Sequence, residues 1–256
     1  MAVHSLYVLP AGSITIDRSI LISGIDIGTK VKSPVYAVLL MHDDGPILVD
    51  TGLNPDGLIE PEKAWGPRAK LIKPEMTEED IIENRLKALN IMIQDIRMVI
   101  LTHMHWDHTG SLRYFSHCPI VVQKSEYRFA FQPDAFVSGQ YMNNHFDFPL
   151  RFELIEGDRM VAPGVSVFRT SGHTPGHQSV IVKLASGKYC IIAGDALSTF
   201  ENMRLKMPGS NVWDGQAATE SIYRIEHLSL LLDADIFPSH EDVKWSDFKK
   251  TPESYA

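Results

Sequence analysis

The chain places three histidines and one aspartate within six residues: His103, His105, Asp107 and His108. Neutral imidazoles and ionised carboxylates are the ligands that a borderline divalent ion such as Zn²⁺ takes in proteins. If the preceding strand direction continues, His103 and His105 point the same way, because side chains repeat every second residue. Asp107 and His108 then turn away and can serve a second ion. The cluster therefore predicts a metal site.

Three later segments, each after an apolar run, carry one further histidine or aspartate that could bind a metal. His173 stands between Gly172 and Gly176, and glycines let the backbone turn sharply and present the imidazole. Asp195 follows Gly194 after the run that ends at residue 193, and His240 follows a shorter run. One histidine after a strand is weak evidence, but three such residues after a four-ligand loop predict one shared site.

The remaining patterns predict the strands and helices that position these side chains. Short apolar runs favour strands, and an Asp-Asp-Gly turn at residues 43–45 predicts a hairpin. Helices are expected at 76–90, where Thr77 caps an apolar stripe, and at about 216–232. Strands and helices in this order predict an α/β fold, an αββα sandwich of two mixed β-sheets flanked by helices. The predicted strands span residues 6–9, 36–40, 46–50, 98–101, 165–169, 179–182, 189–193 and 235–237.

Composition limits the classes of function. The 256 residues carry 24 basic and 32 acidic side chains, and the net charge of −8 argues against a nucleic-acid surface. No apolar run reaches the ~20 residues that cross a membrane, and the first residues lack the pattern of a secretion signal. Cys118 and Cys190 make no disulfide framework. We expect a single domain over residues 1–256 in the cytoplasm, with neither nucleic acid nor a membrane as partner.

The order of the motifs resembles that of the metallo-β-lactamase superfamily, and the likeness covers most of the chain. The resemblance implies two metal ions in the groove between the sheet edges. His177 stands outside the ligand pattern, and Asp50, in Asp50-Thr51-Gly52 after a strand, would orient a ligand. The resemblance assigns His103, His105 and His173 to one ion, Asp107, His108 and His240 to the other, and Asp195 to both.

Within that superfamily the chain most closely resembles the N-acyl-homoserine lactonases, in segments at residues 7–12, 45–52, 73–80, 155–158 and 174–179. This likeness implies hydrolysis of a lactone ring. One position departs from the family, which usually carries a tyrosine three residues after the bridging aspartate, in contact with the substrate carbonyl. Here that residue is Ser198, whose hydroxyl is too short to reach the same atom. The metals are therefore expected to supply most of the electrostatic stabilisation.

Two divalent ions about 3.5–4 Å apart can hold a bridging water and lower its pKa toward neutrality. The resulting hydroxide would attack the lactone without any serine or cysteine nucleophile. Asp107 is the predicted catalytic residue, because a carboxylate beside the hydroxide can accept its proton and return it to the leaving oxygen. A role as ligand only is the alternative. Zn²⁺ suits the ligands, and manganese, iron or cobalt would also fit.

An acyl chain needs an apolar trough beside the metals. Ile16, Ile20, Trp65 and Ala69 occupy regions that line the substrate groove in the similar lactonases, and Ser198 is expected to face the substrate. Ordinary core packing is the alternative for roughly half of the apolar candidates.

Other functions use the same ligands. Hydrolysis of another small lactone or carboxylic ester, such as a pyridoxolactone-type ring, needs the same centre. The charge of −8 disfavours a phosphodiesterase or nuclease, and His105 disfavours an iron-type oxygen or nitric-oxide reductase, which carries Glu there. A non-catalytic scaffold predicts a broken ligand set, whereas all seven ligands are present. The expected partner is a small-molecule lactone, and the chain is expected to be a monomer or a homodimer.

Overall fold

The computed structural model describes residues 2–256, and within that range eleven strands form two mixed sheets. The first sheet has strands in the order β1-β2-β3-β4-β5-β6, antiparallel from β1 to β3 and parallel from β3 to β6. These strands are β1 (Val3–Asp17), β2 (Lys30–His42), β3 (Ile47–Val49), β4 (Met98–Ile100), β5 (Pro119–Gln123) and β6 (Arg151–Ile155).

The second sheet is built from the later part of the chain in the order β11-β10-β9-β8-β7. Its strands pair antiparallel, except that β10 and β11 are parallel. They are β7 (Arg159–Ala162), β8 (Val165–Arg169), β9 (Gln178–Lys183), β10 (Tyr189–Gly194) and β11 (Ala234–Pro238).

Within residues 2–256, seven α-helices and several 3₁₀ turns connect these strands. The α-helices are α1 (Arg18–Leu21), α2 (Pro61–Trp65), α3 (Arg68–Leu71), α4 (Ile82–Lys87), α5 (Lys124–Phe131), α6 (Phe200–Leu205) and α7 (Gly215–Leu232). The 3₁₀ turns are Pro55–Leu58, Glu78–Asp80, Ile93–Asp95, Leu112–Phe115, Ser138–Gln140, Asn143–His145 and Trp245–Asp247. None of the helices in residues 2–256 is both long and apolar enough to cross a membrane.

Alternate side chains of each sheet enter different cores, and this alternation produces four layers. In β2, Val38 lies in the core between the two sheets, whereas Leu39 packs on the opposite face with residues of α2, α4 and α5. In β10, Ile192 enters the core between the sheets and Ile191 packs against α7. The predicted αββα sandwich of two mixed sheets flanked by helices is confirmed.

The prediction of one continuous helix over 76–90 is wrong. The segment forms a 3₁₀ turn at Glu78–Asp80, an extended residue at Ile81 and the short helix α4. The Asp80 carboxylate accepts hydrogen bonds from the Thr77 N–H (2.8 Å) and hydroxyl (3.0 Å), which caps the first turn, but the extended backbone of Ile81 interrupts the helix there. Asn90, in the left-handed region at φ +58°, follows α4 and diverts the chain. The helix predicted at 216–232 agrees with α7, which Asp214 caps through the N–H groups of residues 216 and 217.

Candidate metal centre

The loop after β4 holds four of the predicted ligands inside the protein. His103, His105, Asp107 and His108 are buried, none more than 7% exposed. The strand ends before the loop begins, yet the rings of His103 and His105 still meet, with centroids 4.5 Å apart. The His108 N–H donates to the His105 carbonyl (3.1 Å), and this turn brings the second pair of side chains round to the first.

Three further loops bring His173, Asp195 and His240 to the same place. Asp195 directly follows β10, and His240 is the second residue after β11. The His173 loop depends on Gly172, which has φ +130°. A Cβ at Gly172 would lie 2.0 Å from the backbone nitrogen of Ala218 in α7, so only glycine permits this approach.

One group of donors, which we call the three-histidine subsite, consists of His103, His105 and His173 together with Asp195. His173 Nε2 lies 2.9 Å from His105 Nδ1 and 3.3 Å from Asp195 Oδ2. His103 Nε2 lies 3.9 Å from Asp195 Oδ2. Three ring nitrogens and a carboxylate oxygen therefore face a common point.

The second group, the Asp107 subsite, consists of Asp107, His108 and His240. His240 Nε2 lies 3.6 Å from Asp107 Oδ2, and His108 Nε2 lies 4.0 Å from it. Asp195 reaches this group as well, because its Oδ1 lies 3.2 Å from His108 Nε2 and its Oδ2 lies 3.4 Å from His240 Nε2. The Asp195 carboxylate thus stands between the two subsites.

The donor separations fit divalent ions. Ligands about 2.0–2.1 Å from a tetrahedral ion lie about 3.3 Å from one another, and the separations here run from 2.9 to 4.0 Å. Three buried atoms in the centre also lack a hydrogen bond: His103 Nε2, His108 Nε2 and Asp195 Oδ1. Buried polar atoms almost always have a partner. The donor set and these atoms both suit a pair of metal ions.

The histidines of the three-histidine subsite are held neutral. Burial lowers the pKa of His103 well below its ordinary value, and the nearby imidazoles of His108 and His105 lower it further. Burial also lowers the pKa of His105 well below the ordinary value, and it lowers the pKa of His173. Neutral imidazole is the form that binds metal, so these nitrogens are ready to coordinate.

The histidines of the Asp107 subsite are paired with carboxylates instead. Burial acts to lower the pKa of His108, but Asp50 and Asp195 outweigh it and raise that pKa well above its ordinary value. Burial also acts to lower the pKa of His240, but Asp195 outweighs burial and raises that pKa above its ordinary value. Negative charge therefore dominates this subsite.

Asp50 orients His108, as the resemblance implied. Asp50 Oδ2 accepts hydrogen bonds from His108 Nδ1 (2.8 Å) and the Thr102 hydroxyl (2.8 Å), and Asp50 Oδ1 accepts one from the Thr102 N–H (2.8 Å). The proton on Nδ1 leaves His108 Nε2 free to face the centre. Asp50 sits at φ +59°, a left-handed conformation that aspartate tolerates better than most residues.

His177 supports the bridging residue. Its Nε2 accepts a hydrogen bond from the Asp195 N–H (3.0 Å), and its Nδ1 donates to the Thr170 hydroxyl (2.9 Å). Burial lowers the pKa of His177 to about 3, so the ring stays neutral and keeps this tautomer. The structure therefore places His177 beside the donor set as a support.

A buried carboxylate that sequence analysis missed joins the two loops of the three-histidine subsite. Glu126, in α5, accepts hydrogen bonds from both loops. Burial raises its pKa, and these hydrogen bonds oppose the rise. Lys124-Ser125-Glu126-Tyr127 has the composition of an ordinary exposed helix start, so no local signal marks this residue.

A cavity of about 300 Å³ opens above the two subsites. The predicted residues Ile16, Ile20 and Ser198 line it, and they share it with further apolar and polar side chains that sequence analysis did not all single out. Its apolar lining residues are Ile14, Ile16, Ile20, Leu21, Ile72 and Trp106, its other lining residues are Gln140, Ser198, Gly209, Ser210 and Asn211, and the proposed ligands that line it are His105, Asp107, His173, Asp195 and His240.

Trp65 and Ala69 do not line this cavity. Trp65 is only 3% exposed, and its indole lies against Gly57, where a Cβ would approach within 2.0 Å of the ring. It borders a separate surface groove with Pro10 and Trp245. Ala69 is half-buried and packs against the same outer core. The predicted substrate role of these two residues is not matched by their position.

Comparison with known proteins decides the family. A family profile described as the metallo-beta-lactamase superfamily matches residues 31–240. The chain belongs to the metallo-β-lactamase superfamily. Within this superfamily, it is 34% identical over 255 residues to an N-acyl homoserine lactonase of Bacillus cereus, and the match covers 99% of each chain.

Solved metallo-β-lactamase structures agree with this relationship. An N-acyl homoserine lactone hydrolase with the product N-hexanoyl-L-homoserine bound at its catalytic metal centre superposes with a TM-score of 0.90, at 33% identity over 100% of both chains. A mutant of AiiA from B. thuringiensis, with N-decanoyl-L-homoserine bound at its active site, gives the same TM-score, identity and coverage. Fold and relatives thus agree over the whole length.

Proposed function

We propose that this protein is a dinuclear metal-dependent hydrolase that opens the lactone ring of N-acyl homoserine lactones. The observation that carries the proposal is the position of the proposed metal ligands: residues of both subsites line one cavity together with apolar and polar side chains. The similarity to N-acyl homoserine lactonases over 99% of the chain supports the substrate class.

The apolar and polar residues that line the cavity would bind different parts of the substrate. The isoleucines would bind the acyl chain, and each buried CH₂ is worth about 0.8 kcal/mol. The amide groups of Gln140 and Asn211 would hydrogen-bond the polar amide and ring of the substrate. An acyl chain packed against the isoleucines would hold the lactone beside the proposed metal ligands.

Asp107 is the residue proposed to move a proton. Its Oδ2 lies between the two histidines of its subsite, and the residue lines the cavity. Bound divalent ions would make water acidic near neutral pH and polarise the lactone carbonyl. The Asp107 carboxylate would then accept the proton of the attacking water and return it to the ring oxygen that leaves.

A panel assay tests this function. The metal-loaded protein is mixed with lactones, linear esters, phosphodiesters and β-lactams in a weakly buffered solution containing a pH indicator, and acid release is followed. We expect rapid acid release from N-acyl homoserine lactones and little from phosphodiesters or β-lactams. Fast phosphodiester hydrolysis with inert lactones would overturn the proposal.

Ser198 supports a second candidate, the hydrolysis of another small lactone or carboxylic ester. The residue lines the cavity where the similar lactonases usually carry a tyrosine. A smaller side chain leaves more room beside the reacting carbonyl, and the lactones and esters of the panel separate the two candidates.

Further features of the proposal concern the ions and the setting. Zn²⁺ suits three neutral imidazoles and a carboxylate, and manganese, iron or cobalt take similar donors. The two free, buried cysteines, Cys118 and Cys190, are compatible with the proposed cytoplasmic location. We propose that residues 1–256 act as one domain, as a monomer or a homodimer.

A further inference from the structure

Glu126 is buried in the protein although it ligates nothing in the proposed centre. Its side chain is 0% exposed. Glu126 is the third residue of α5, and α5 carries none of the seven proposed metal ligands. Burying an ionised carboxylate is costly unless hydrogen bonds compensate for the lost water. The groups that surround Glu126 therefore indicate what the carboxylate holds.

Four hydrogen-bond donors surround the Glu126 carboxylate. Glu126 Oε1 accepts hydrogen bonds from the Met104 N–H (2.9 Å) and the Tyr141 hydroxyl (3.3 Å). Glu126 Oε2 accepts hydrogen bonds from the Thr174 hydroxyl (2.6 Å) and the Gly176 N–H (3.1 Å). Each oxygen therefore binds one backbone N–H and one hydroxyl.

Both backbone partners lie beside histidines of the three-histidine subsite. Met104 stands between His103 and His105, and Gly176 stands three residues after His173. One carboxylate therefore connects the loop after β4 in the first sheet to the loop after β8 in the second. The distance between His105 Nδ1 and His173 Nε2, 2.9 Å, spans the same two loops.

Two close contacts make this connection rigid. A Cβ at Gly176 would lie 2.1 Å from the Glu126 backbone nitrogen, so the loop rests directly on the start of α5. The Tyr141 ring meets the His105 ring edge-on, with centroids 4.9 Å apart. Tyr141 therefore contacts both the Glu126 carboxylate and the ring of the proposed ligand His105.

We propose that Glu126 is a positioning residue for the three-histidine subsite, where it fixes the spacing of the two histidine loops and thereby the affinity for one of the two ions. The inference rests on the proposed dinuclear centre. The Asp107 subsite has a different anchor, because His108 is held by Asp50 and His240 Nδ1 donates to the Pro34 carbonyl (3.0 Å). Loss of Glu126 therefore weakens one subsite in preference to the other.

The substitution Glu126→Gln tests the role with little change of shape. The glutamine NH₂ group must replace one oxygen, and it then faces a backbone N–H that can only donate. In either orientation one loop loses its backbone hydrogen bond, whereas the hydroxyls can turn and accept. Loss of a group that supports a metal ligand costs about tenfold to a hundredfold in affinity.

The measurement is the affinity of each subsite for Co²⁺, which gives visible absorption bands that depend on its ligands. Two reference variants, His173→Ala and His240→Ala, each keep one intact subsite and supply its one-ion spectrum. We expect Glu126→Gln to bind one Co²⁺ with little change and the other about tenfold to a hundredfold more weakly. Its one-ion spectrum should match that of His173→Ala.

Further variants keep the test decisive. Tyr141→Phe and Thr174→Val each remove one hydroxyl donor from Glu126, and both should shift the same ion by a smaller factor. If Glu126→Gln does not fold, these two variants provide the same comparison. Unchanged affinity for both ions, or equal losses at both, would overturn the inference. Two bound ions without lactone hydrolysis in the unmodified protein would instead overturn the proposed function and leave this inference standing.

Discussion

The two subsites use the same kinds of side chain but are built differently. In the three-histidine subsite, burial holds the imidazoles neutral, and Glu126 ties their loops together through backbone N–H groups. In the Asp107 subsite, carboxylates surround the imidazoles, and Asp50 bonds His108 directly. One subsite is therefore organised through the backbone of its loops, and the other through the charge of its side chains.

This difference shows how two ions can be held side by side by one bridging residue. Asp195 follows β10, and its N–H is fixed by His177. Because each subsite has its own buried anchor, damage to one anchor should leave the other subsite largely intact. Substitutions at Asp195, Asp50 and Ser198 should affect both subsites, one subsite and neither subsite, respectively.

The largest effect is expected at the bridge. Asp195→Asn removes a charged donor from both subsites, so both ions should bind weakly and lactone hydrolysis should fall by more than about a hundredfold. Metal content after dialysis and the hydrolysis rate measure the change. Asp247→Asn, which changes an exposed carboxylate that belongs to neither subsite and does not line the cavity, is the control and should behave like the unmodified protein. Two tightly retained ions in Asp195→Asn would show that Asp195 is no bridge.

A smaller and one-sided effect is expected for Asp50→Asn. Asparagine also tolerates the left-handed backbone at this position, so the fold should survive. The amide lacks the charge that holds His108, and the Asp107 subsite should lose about tenfold to a hundredfold in affinity. Cobalt titration should give the one-ion spectrum of His240→Ala, the mirror image of Glu126→Gln. A loss confined to the three-histidine subsite would contradict the assignment of anchors.

The smallest effect is expected at Ser198. If the ions supply most of the electrostatic stabilisation, Ser198→Ala should lower kcat/KM by less than about tenfold, the size of one ordinary hydrogen bond. Metal affinity should not change at either subsite. Activity loss as severe as that of Asp195→Asn would refute the idea that the ions suffice at this position.

The sequence predicted the layers, and the seven proposed ligands that it singled out lie together in the structure, because both depend on local patterns. Continuous apolar runs in β2 and β10 made the strands visible, and the proposed ligands follow strands directly or within a few residues. Asp50 could be found because it stands in Asp50-Thr51-Gly52 at the end of β3. The continuous helix predicted at 76–90 failed because Ile81 is extended, at φ −64° and ψ 125°, and separates the capped first turn from α4.

The parts that sequence could not predict depend on contacts between distant segments. Glu126 is defined by partners 15 to 50 residues away along the chain. Trp65 looked like a lining residue, yet its indole packs against Gly57 in the outer core. Whether an apolar side chain lines a cavity or fills a core is decided by neighbours that only the fold brings together.

A Zn²⁺ titration of the metal-free protein during hydrolysis of N-hexanoyl-homoserine lactone tests whether hydrolysis needs both subsites filled. Two separate subsites that share Asp195 predict that the rate stays low through the first equivalent of Zn²⁺ and rises to its full value with the second. Full hydrolysis with one equivalent bound, or no hydrolysis with two bound, would contradict the account.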